Sequence, residues 1–267
     1  MPVSSDVDGR ADAEGDGSAS GTDSLPINEL FESLQGEGRL AGVPSVFVRT
    51  SGCNLRCWFC DSYHTSWEPT HATMRVEEIV AEVESYDADH VVVTGGEPMM
   101  HDATVALLEA LDARGYHVTV ETNGTIYRDA PIDLASVSPK LASSTPTPET
   151  DPTPDDAPTG ADEWEQRHEE RRIDFDALAA LAEEFDFQLK FVVSDREDMA
   201  EVTDLVERIR AVADVPIPDS SVLLMPEGAT KDRIEETRPL VAELAQEFGF
   251  RYTPRLHVNL WNDAPET

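Results

Sequence analysis

The chain holds three cysteines, all within one octapeptide, Cys53-Asn-Leu-Arg-Cys57-Trp-Phe-Cys60. An odd number of thiols this closely spaced argues against a disulfide framework and for a metal site. The donor set allows two readings. Structural zinc needs a fourth ligand, which His64 can supply. A [4Fe–4S] cluster normally takes four thiolates. With three, one iron keeps open positions that can bind an amine and a carboxylate. Beside the thiols, Asp61 and Ser62 offer hard oxygens of the kind that suit Mg²⁺.

Other polar groups cluster at the ends of apolar runs. Gly95-Gly96-Glu97-Pro98 follows a short apolar strand; alone it reads as a turn. Arg49 ends the run that leads to the cysteines. Leu34-Gln35-Gly36-Glu37-Gly38 reads as a polar loop before the first strand. Ser138-Pro139-Lys140 and Met225-Pro226-Glu227-Gly228 each close a further apolar run.

The elements that must position these groups alternate. Strands are expected at 45–50, 90–94, 116–121, 134–138, 188–193 and 222–225. Helices are expected at 74–86, from an N-cap at Asp102 to about Arg114, and at 174–185, 198–212 and 231–248. Val76, Ile79, Val80 and Val83 share one face of the first. Strand–helix alternation implies an α/β fold with a parallel sheet. Six strands are too few for a full eight-unit barrel, so a partial, open (β/α)6-type barrel is expected. In such barrels active groups sit on the loops after the strands, where these motifs fall.

Composition sets the surroundings. The 267 residues include 54 acidic and 20 basic ones, a net charge of −34. Residues 1–24 are rich in Asp, Gly and Ser and read as a disordered acidic tail. Residues 25–267 read as a single domain. Within it, 141–172 is rich in Pro, Thr and acid and reads as a solvent-exposed insertion, with a short charged helix from Trp164 to Arg172. Outside those two segments 39 acidic and 16 basic residues remain, so the folded body is itself acidic. Such a body repels nucleic acid and suits a salt-rich cell, where the Debye length falls to about 3 Å at 1 M. No apolar stretch predicts a membrane span or a secretory leader, which leaves a cytoplasmic protein as the expectation.

The Cys-x3-Cys-x2-Cys spacing, with Trp58 and Phe59 before the last cysteine, together with the Gly-Gly-Glu-Pro loop, resembles the radical S-adenosylmethionine superfamily. Further features recur in order: the Gln-Gly-Glu-Gly loop, Phe-Val-Arg-Thr, Cys-Asp-Ser, Thr-Gly-Gly-Glu-Pro, Glu-Thr-Asn-Gly, Ser-Pro-Lys, Lys190–Val192 and a terminal Leu-His…Trp segment. From about residue 27 to 261, excluding the insertion, this order resembles the 7-carboxy-7-deazaguanine synthases. The resemblance implies ring contraction of 6-carboxy-5,6,7,8-tetrahydropterin to 7-carboxy-7-deazaguanine with loss of ammonia, on the route to archaeosine or queuosine in tRNA. It implies a [4Fe–4S] cluster on Cys53, Cys57 and Cys60, S-adenosylmethionine, and Mg²⁺ on Ser62, where many members carry Thr. Leu34, Gln35, Gly36, Arg49 and Thr94 would bind substrate, with Arg49 on its carboxylate. Gly96, Ser138, Pro139, Lys140, Met225, Pro226, Glu227 and Gly228 would line the S-adenosylmethionine site. A homodimer and a flavodoxin- or ferredoxin-type electron donor are implied partners.

The chain departs from that pattern in two places: Trp261 is followed by Asn262 and runs on through Pro265 to Thr267, and the insertion follows Ser-Pro-Lys directly. A glycyl-radical enzyme activase shares the cysteine spacing and the Gly-Gly-Glu-Pro loop, but should lack the Gln-Gly-Glu loop and the oxygen donor after Cys60. A non-catalytic iron–sulfur module would not cleave S-adenosylmethionine.

Overall fold

The computed structural model describes residues 23–150, 161–262 and 264. Its strands are β1 (Ser24–Leu34), β2 (Pro44–Thr50), β3 (Ala72–Arg75), β4 (His90–Gly95), β5 (His117–Thr122), β6 (Leu134–Val137), β7 (Phe187–Val193), β8 (Val222–Pro226) and β9 (Arg251–Tyr252). Its helices are α1 (Tyr63–Ser66), α2 (Val76–Val83), α3 (Ala103–Asp112), α4 (Ala161–Arg171), α5 (Phe175–Glu184), α6 (Asp198–Val212), α7 (Lys231–Phe248) and α8 (Leu256–Trp261). They build one nine-stranded sheet in the order β3-β1-β2-β4-β5-β6-β7-β8-β9. From β2 to β9 every pairing is parallel; β1 and β3 are antiparallel additions at one edge. The ends do not meet, so the barrel is open, as the strand count led one to expect.

Alternation along the strands separates packing from chemistry. On β7, Phe187, Leu189, Phe191 and Val193 face an apolar layer shared with α5, α6 and α7. Between them, Gln188 and Lys190 make polar contacts inside the barrel and Val192 lines its cavity. On β2, Val46 and Val48 join a second layer with α2 and α3, while Phe47 and Arg49 line the cavity. On β4, Val91 and Val93 join that layer and Thr94 lines the cavity. Burial of the outward residues pins the register, because a one-residue slip would turn Lys190 into the apolar layer.

Helix starts follow local chemistry. The Asp174 carboxylate accepts from Ala177 N–H at 3.0 Å and caps α5, and the Thr230 hydroxyl accepts from Arg233 N–H at 3.3 Å and caps α7. Asp102 does not act as the cap expected of it. Its carboxylate pairs with Arg128 at 2.8 Å, a stronger partner than a backbone N–H.

Two regions differ from the sequence expectation. The Gln35 loop does not precede the first strand; it joins β1 to β2. Strand β1 was hidden by Pro26 and by an irregularity between Ile27 and Glu29 that breaks the period of two. Because β1 runs antiparallel to β2, its loop enters the barrel from the strands' N-terminal side. There it bridges toward the far edge: Leu256 N–H donates to the Gly36 carbonyl at 2.8 Å and Gly38 N–H to Thr253 Oγ1 at 2.7 Å. The second region is 141–172. Residues 151–160 lie outside the described residues, as do 1–22 of the acidic tail. The described flanks are not solvated throughout: Leu141, Ser144 and His168 are buried. Leu141 joins the apolar layer, whereas Ser144 and His168 are buried through hydrogen bonds, which polar composition concealed.

Candidate active site

A cavity of about 710 Å³ opens at the C-terminal ends of the parallel strands. Its rim is the cysteine loop after β2, and its floor is the Gln35 loop. Apolar lining comes from Leu34, Phe47, Leu55, Phe59 and Val192.

Cys53, Cys57 and Cys60 all line this cavity. Leu55 N–H donates to Cys53 Sγ at 3.4 Å and Ser66 Oγ–H to Cys60 Sγ at 3.2 Å. The loop is tied down by Trp67 Nε1–H on the Cys57 carbonyl at 2.9 Å and by the Arg56 guanidinium on the Cys53 carbonyl at 2.8 Å. Burial pushes the Cys57 thiol up to about 12, and burial likewise raises Cys53 and Cys60. Negative charge on any one of the three makes the next harder to ionise. Three thiolates on this loop therefore need cationic metal among them, since coordination is what deprotonates buried thiols. Among the described residues, no three His, Cys, Asp or Glu side chains gather tightly enough for one metal ion. In a cluster each iron is held by a different sulfur, so the three thiols need not converge on one point.

The close of β4 sits directly against this loop. Gly95 has φ +118°, and a Cβ there would lie 2.1 Å from the Thr50 carbonyl oxygen. A Cβ on Gly96 would lie 2.0 Å from the Gly52 carbonyl oxygen. Only glycines let β4 pass the entry to the cysteines. Glu97 turns away from the cavity and is fully buried. Its carboxylate accepts from Asn123 N–H at 2.7 Å, Thr122 Oγ–H at 2.9 Å and Met99 N–H at 3.0 Å. It binds the β4 loop to the β5 loop.

The other expected site residues divide into two groups. Leu34, Gln35, Gly36, Arg49, Ser62, Thr94, Gly96, Ser138, Lys140, Met225 and Gly228 line the cavity with the cysteines. Pro139, Pro226 and Glu227 stand behind it. Glu227 is held from outside by Arg233 Nε at 2.7 Å. Ser62 Oγ lies 3.3 Å from an Asp61 oxygen, so two oxygen donors are neighbours at the rim. Lys140 Nζ donates to Ser138 Oγ at 2.8 Å. Arg49 pairs with Glu29 at 3.0 Å on one side, yet its Nε is buried with no hydrogen-bond partner among the described residues. Arg49 itself lines the cavity, where the fork of a guanidinium suits an anionic oxygen.

Sequence reading missed a buried charge network in the same cavity. Lys190, only 4% exposed, donates to Glu37 at 2.5 Å and to Glu121 at 2.8 Å. Gln35 Nε2 donates to Glu121 at 3.2 Å. Arg255 donates to Glu37 at 3.1 Å, to the Gly228 carbonyl at 2.6 Å, and to Asp61. Burial alone would raise the Glu37 carboxyl, but Lys190 and Arg255 overcome it and hold it well below the usual range. Burial would lower Lys190, but Glu121 and Glu37 keep it raised, hence charged. The network ties the Gln35 loop, β5, β7, the cysteine loop and the C-terminal segment to one another. Gly36 belongs to it sterically, since a Cβ there would lie 1.9 Å from His257 Nδ1. A lysine in the middle of an apolar run was the available signal: Lys190 in Phe187–Val193 is costly to bury unpaired.

Comparison with known proteins agrees with this geometry. Residues 47–140 match the model of the radical SAM superfamily. Over the whole of both chains, the protein is 66% identical to the 7-carboxy-7-deazaguanine synthase of Halobacterium salinarum. It is 38% identical to that of Rhodopirellula baltica, over 93% of this chain and 90% of that one. The crystal structure of QueE from Escherichia coli superposes with a TM-score of 0.62 at 25% identity, covering 88% of this chain and 95% of the other. The cysteine rim and the family match fall on the same residues, and the chain belongs to the 7-carboxy-7-deazaguanine synthase family of radical S-adenosylmethionine enzymes.

Proposed function

We propose that this protein contracts the ring of 6-carboxy-5,6,7,8-tetrahydropterin to 7-carboxy-7-deazaguanine with loss of ammonia, for the 7-deazaguanine nucleosides of tRNA. The observation that carries the reading is Arg49. Its side chain lines the cavity onto which Cys53, Cys57 and Cys60 open, and its buried Nε has no partner among the described residues. A carboxylated small molecule bound to the Arg49 guanidinium there lies beside the thiols.

Cys53, Cys57 and Cys60 hold a [4Fe–4S] cluster, which when bound supplies the electron for reductive cleavage of S-adenosylmethionine. The remaining roles belong to the protein. Gly96, Ser138, Pro139, Lys140 and the Met225–Gly228 turn form the S-adenosylmethionine side. Leu34, Gln35, Gly36 and Thr94 orient the pterin, with Arg49 on its carboxylate. Ser62 ligates Mg²⁺ beside Asp61, and Ser62→Ala should lower the response to Mg²⁺ while keeping the cluster. Phe47, Leu55, Phe59 and Val192 exclude water, which protects a reactive species from side reactions. The enzyme works as a cytoplasmic homodimer fed by a flavodoxin- or ferredoxin-type donor. No helix among the described residues is long and apolar enough to cross a membrane.

The deciding assay is anaerobic turnover of the reduced, iron-loaded enzyme with S-adenosylmethionine and the tetrahydropterin. A deazapurine product together with 5′-deoxyadenosine is expected. A protein-bound glycyl radical on a partner, with no deazapurine, would instead favour an activase. Absence of 5′-deoxyadenosine would leave only a binding module.

A further inference from the structure

Helix α4 is an unusual component of this fold. Its described face is charged and exposed, and its single buried residue among those described is a histidine, His168, at 0% exposure. A polar helix of this length has no apolar stripe to hold it in place. Among its attachments are two to the cysteine loop. Arg56 N–H, the amide immediately before Cys57, donates to His168 Nδ1 at 3.2 Å. His168 Nε2 lies 2.9 Å from Ser144 Oγ, and Ser144 Oγ–H donates to the Leu141 carbonyl at 2.6 Å. These roles fit only a neutral ring with its proton on Nε2. Burial, which pushes His168 down to about 4, agrees with that form.

The neighbouring contacts reinforce the same junction. Trp58 donates from its backbone N–H to the Ser144 carbonyl at 3.1 Å and from Nε1 to the Ser143 carbonyl at 2.7 Å. The Arg56 guanidinium lies over the Trp164 ring, 4.3 Å from its centroid. Arg172 anchors the end of the helix to the Lys140 carbonyl at 3.0 Å and to Glu201 at 2.6 Å. Both residues between Cys53 and Cys60 that carry large side chains toward this flank, Arg56 and Trp58, are thus gripped by it.

We propose that the two flanks of the acidic segment, 141–150 and 161–172, clamp the cysteine loop, and that His168 is the positioning residue that fixes the Arg56–Cys57 backbone for the iron–sulfur cluster. Hydrogen bonds and solvent exposure around ligating sulfur set both the retention and the potential of such a cluster. By accepting the Arg56 N–H, His168 holds that donor away from the sulfurs. By filling the space behind Cys57, the clamp keeps water out. The segment is therefore part of the metal centre's support.

The inference rests on the cluster reading above, and the test separates the two. Reconstituted wild-type enzyme is compared with His168→Phe, which keeps a ring of similar volume without either nitrogen, and with His168→Asn, whose side-chain oxygen can replace Nδ1 as acceptor. Iron release to a strong chelator should quicken about ten-fold in His168→Phe, the equivalent of one buried hydrogen bond, and about three-fold or less in His168→Asn. The midpoint potential of the cluster should move to more positive values in His168→Phe, with an altered electron paramagnetic resonance signal in the reduced state. A role limited to folding would lower thermal stability and leave potential and signal unmoved. Wild-type release rate and potential in a folded His168→Phe would overturn the proposal. Should that variant fail to fold, Trp164→Leu probes the clamp from its outer side, and wild-type iron release in it would overturn the proposal equally. A wild-type chain that takes up no iron would remove the cluster reading itself, and the clamp with it.

Discussion

The inside of the barrel and its outer surface follow opposite charge rules. The chain as a whole carries 54 acidic and 20 basic residues. The cavity is lined by Glu29, Glu37, Asp61 and Glu121 against Arg49, Lys140, Lys190 and Arg255, an even balance. Outside, acidic groups are held apart by solvent and tolerated through screening. Inside, all of these but Lys140, which donates to Ser138, pair with an opposite charge within hydrogen-bonding distance, because burial makes an unpaired charge too costly. Surface charge can accumulate in response to the medium, whereas interior charge must be closed residue by residue. The cavity is thus set up to receive a charged cofactor and a carboxylated substrate without inheriting the repulsion of its shell.

Several experiments break or sharpen this contrast. The largest effect is expected from Cys57→Ala, which should fold but lose the visible absorption of the cluster and all release of 5′-deoxyadenosine. Lys190→Met should come next. It leaves Glu37 and Glu121 facing one another in a buried site, at a cost of about 3–5 kcal/mol in chemical denaturation. Adding Glu121→Gln should recover part of that loss, and a strictly additive double variant would show that the two do not form one network. Arg49→Gln should act on binding more than folding, raising KM for the pterin about thirty-fold or more, as loss of a buried ionic partner does. Unchanged KM would remove Arg49 from the substrate site.

The shell should respond to salt instead. Between low and molar KCl the melting temperature should rise by several degrees, because the Debye length falls from about 10 Å at 0.1 M to about 3 Å at 1 M. The buried pairs should contribute little to that slope, so Lys190→Met should lose stability equally at both salt concentrations. The smallest effect concerns His90, buried between Ser45 Oγ at 2.7 Å and Thr119 Oγ1 at 2.8 Å. Burial first, and His117 second, push it down to about 4. Below about pH 6.5 the unfolded chain binds a proton that folded His90 refuses, so stability falls as pH drops from 6.5 toward 4. His90→Gln should flatten that part of the stability profile, and an unaltered slope would place the titration elsewhere.

The sequence by itself determined the chemistry at the rim and the rhythm of the fold. Cys53, Cys57 and Cys60 are local in the chain, so their spacing alone defines a three-thiolate donor set. Val91–Val93 and Leu223–Met225 are apolar runs that nothing but buried strands can use, and α3, α5 and α6 between them carry apolar stripes. Only the tertiary structure decided which strand residues face inward. A run such as Phe187–Val193 is nearly all apolar, and its single charge, Lys190, acquires meaning when Glu37 and Glu121 arrive from 153 and 69 residues away. Strand β1 was equally illegible, because an edge strand with an irregular register has no clean period. The acidic segment shows the limit most plainly. Its composition speaks for solvent, yet His168 is wholly buried against the amide of Arg56. Hydrogen bonds between polar groups leave no periodic trace in a sequence, so a polar segment that docks reads the same as one that does not.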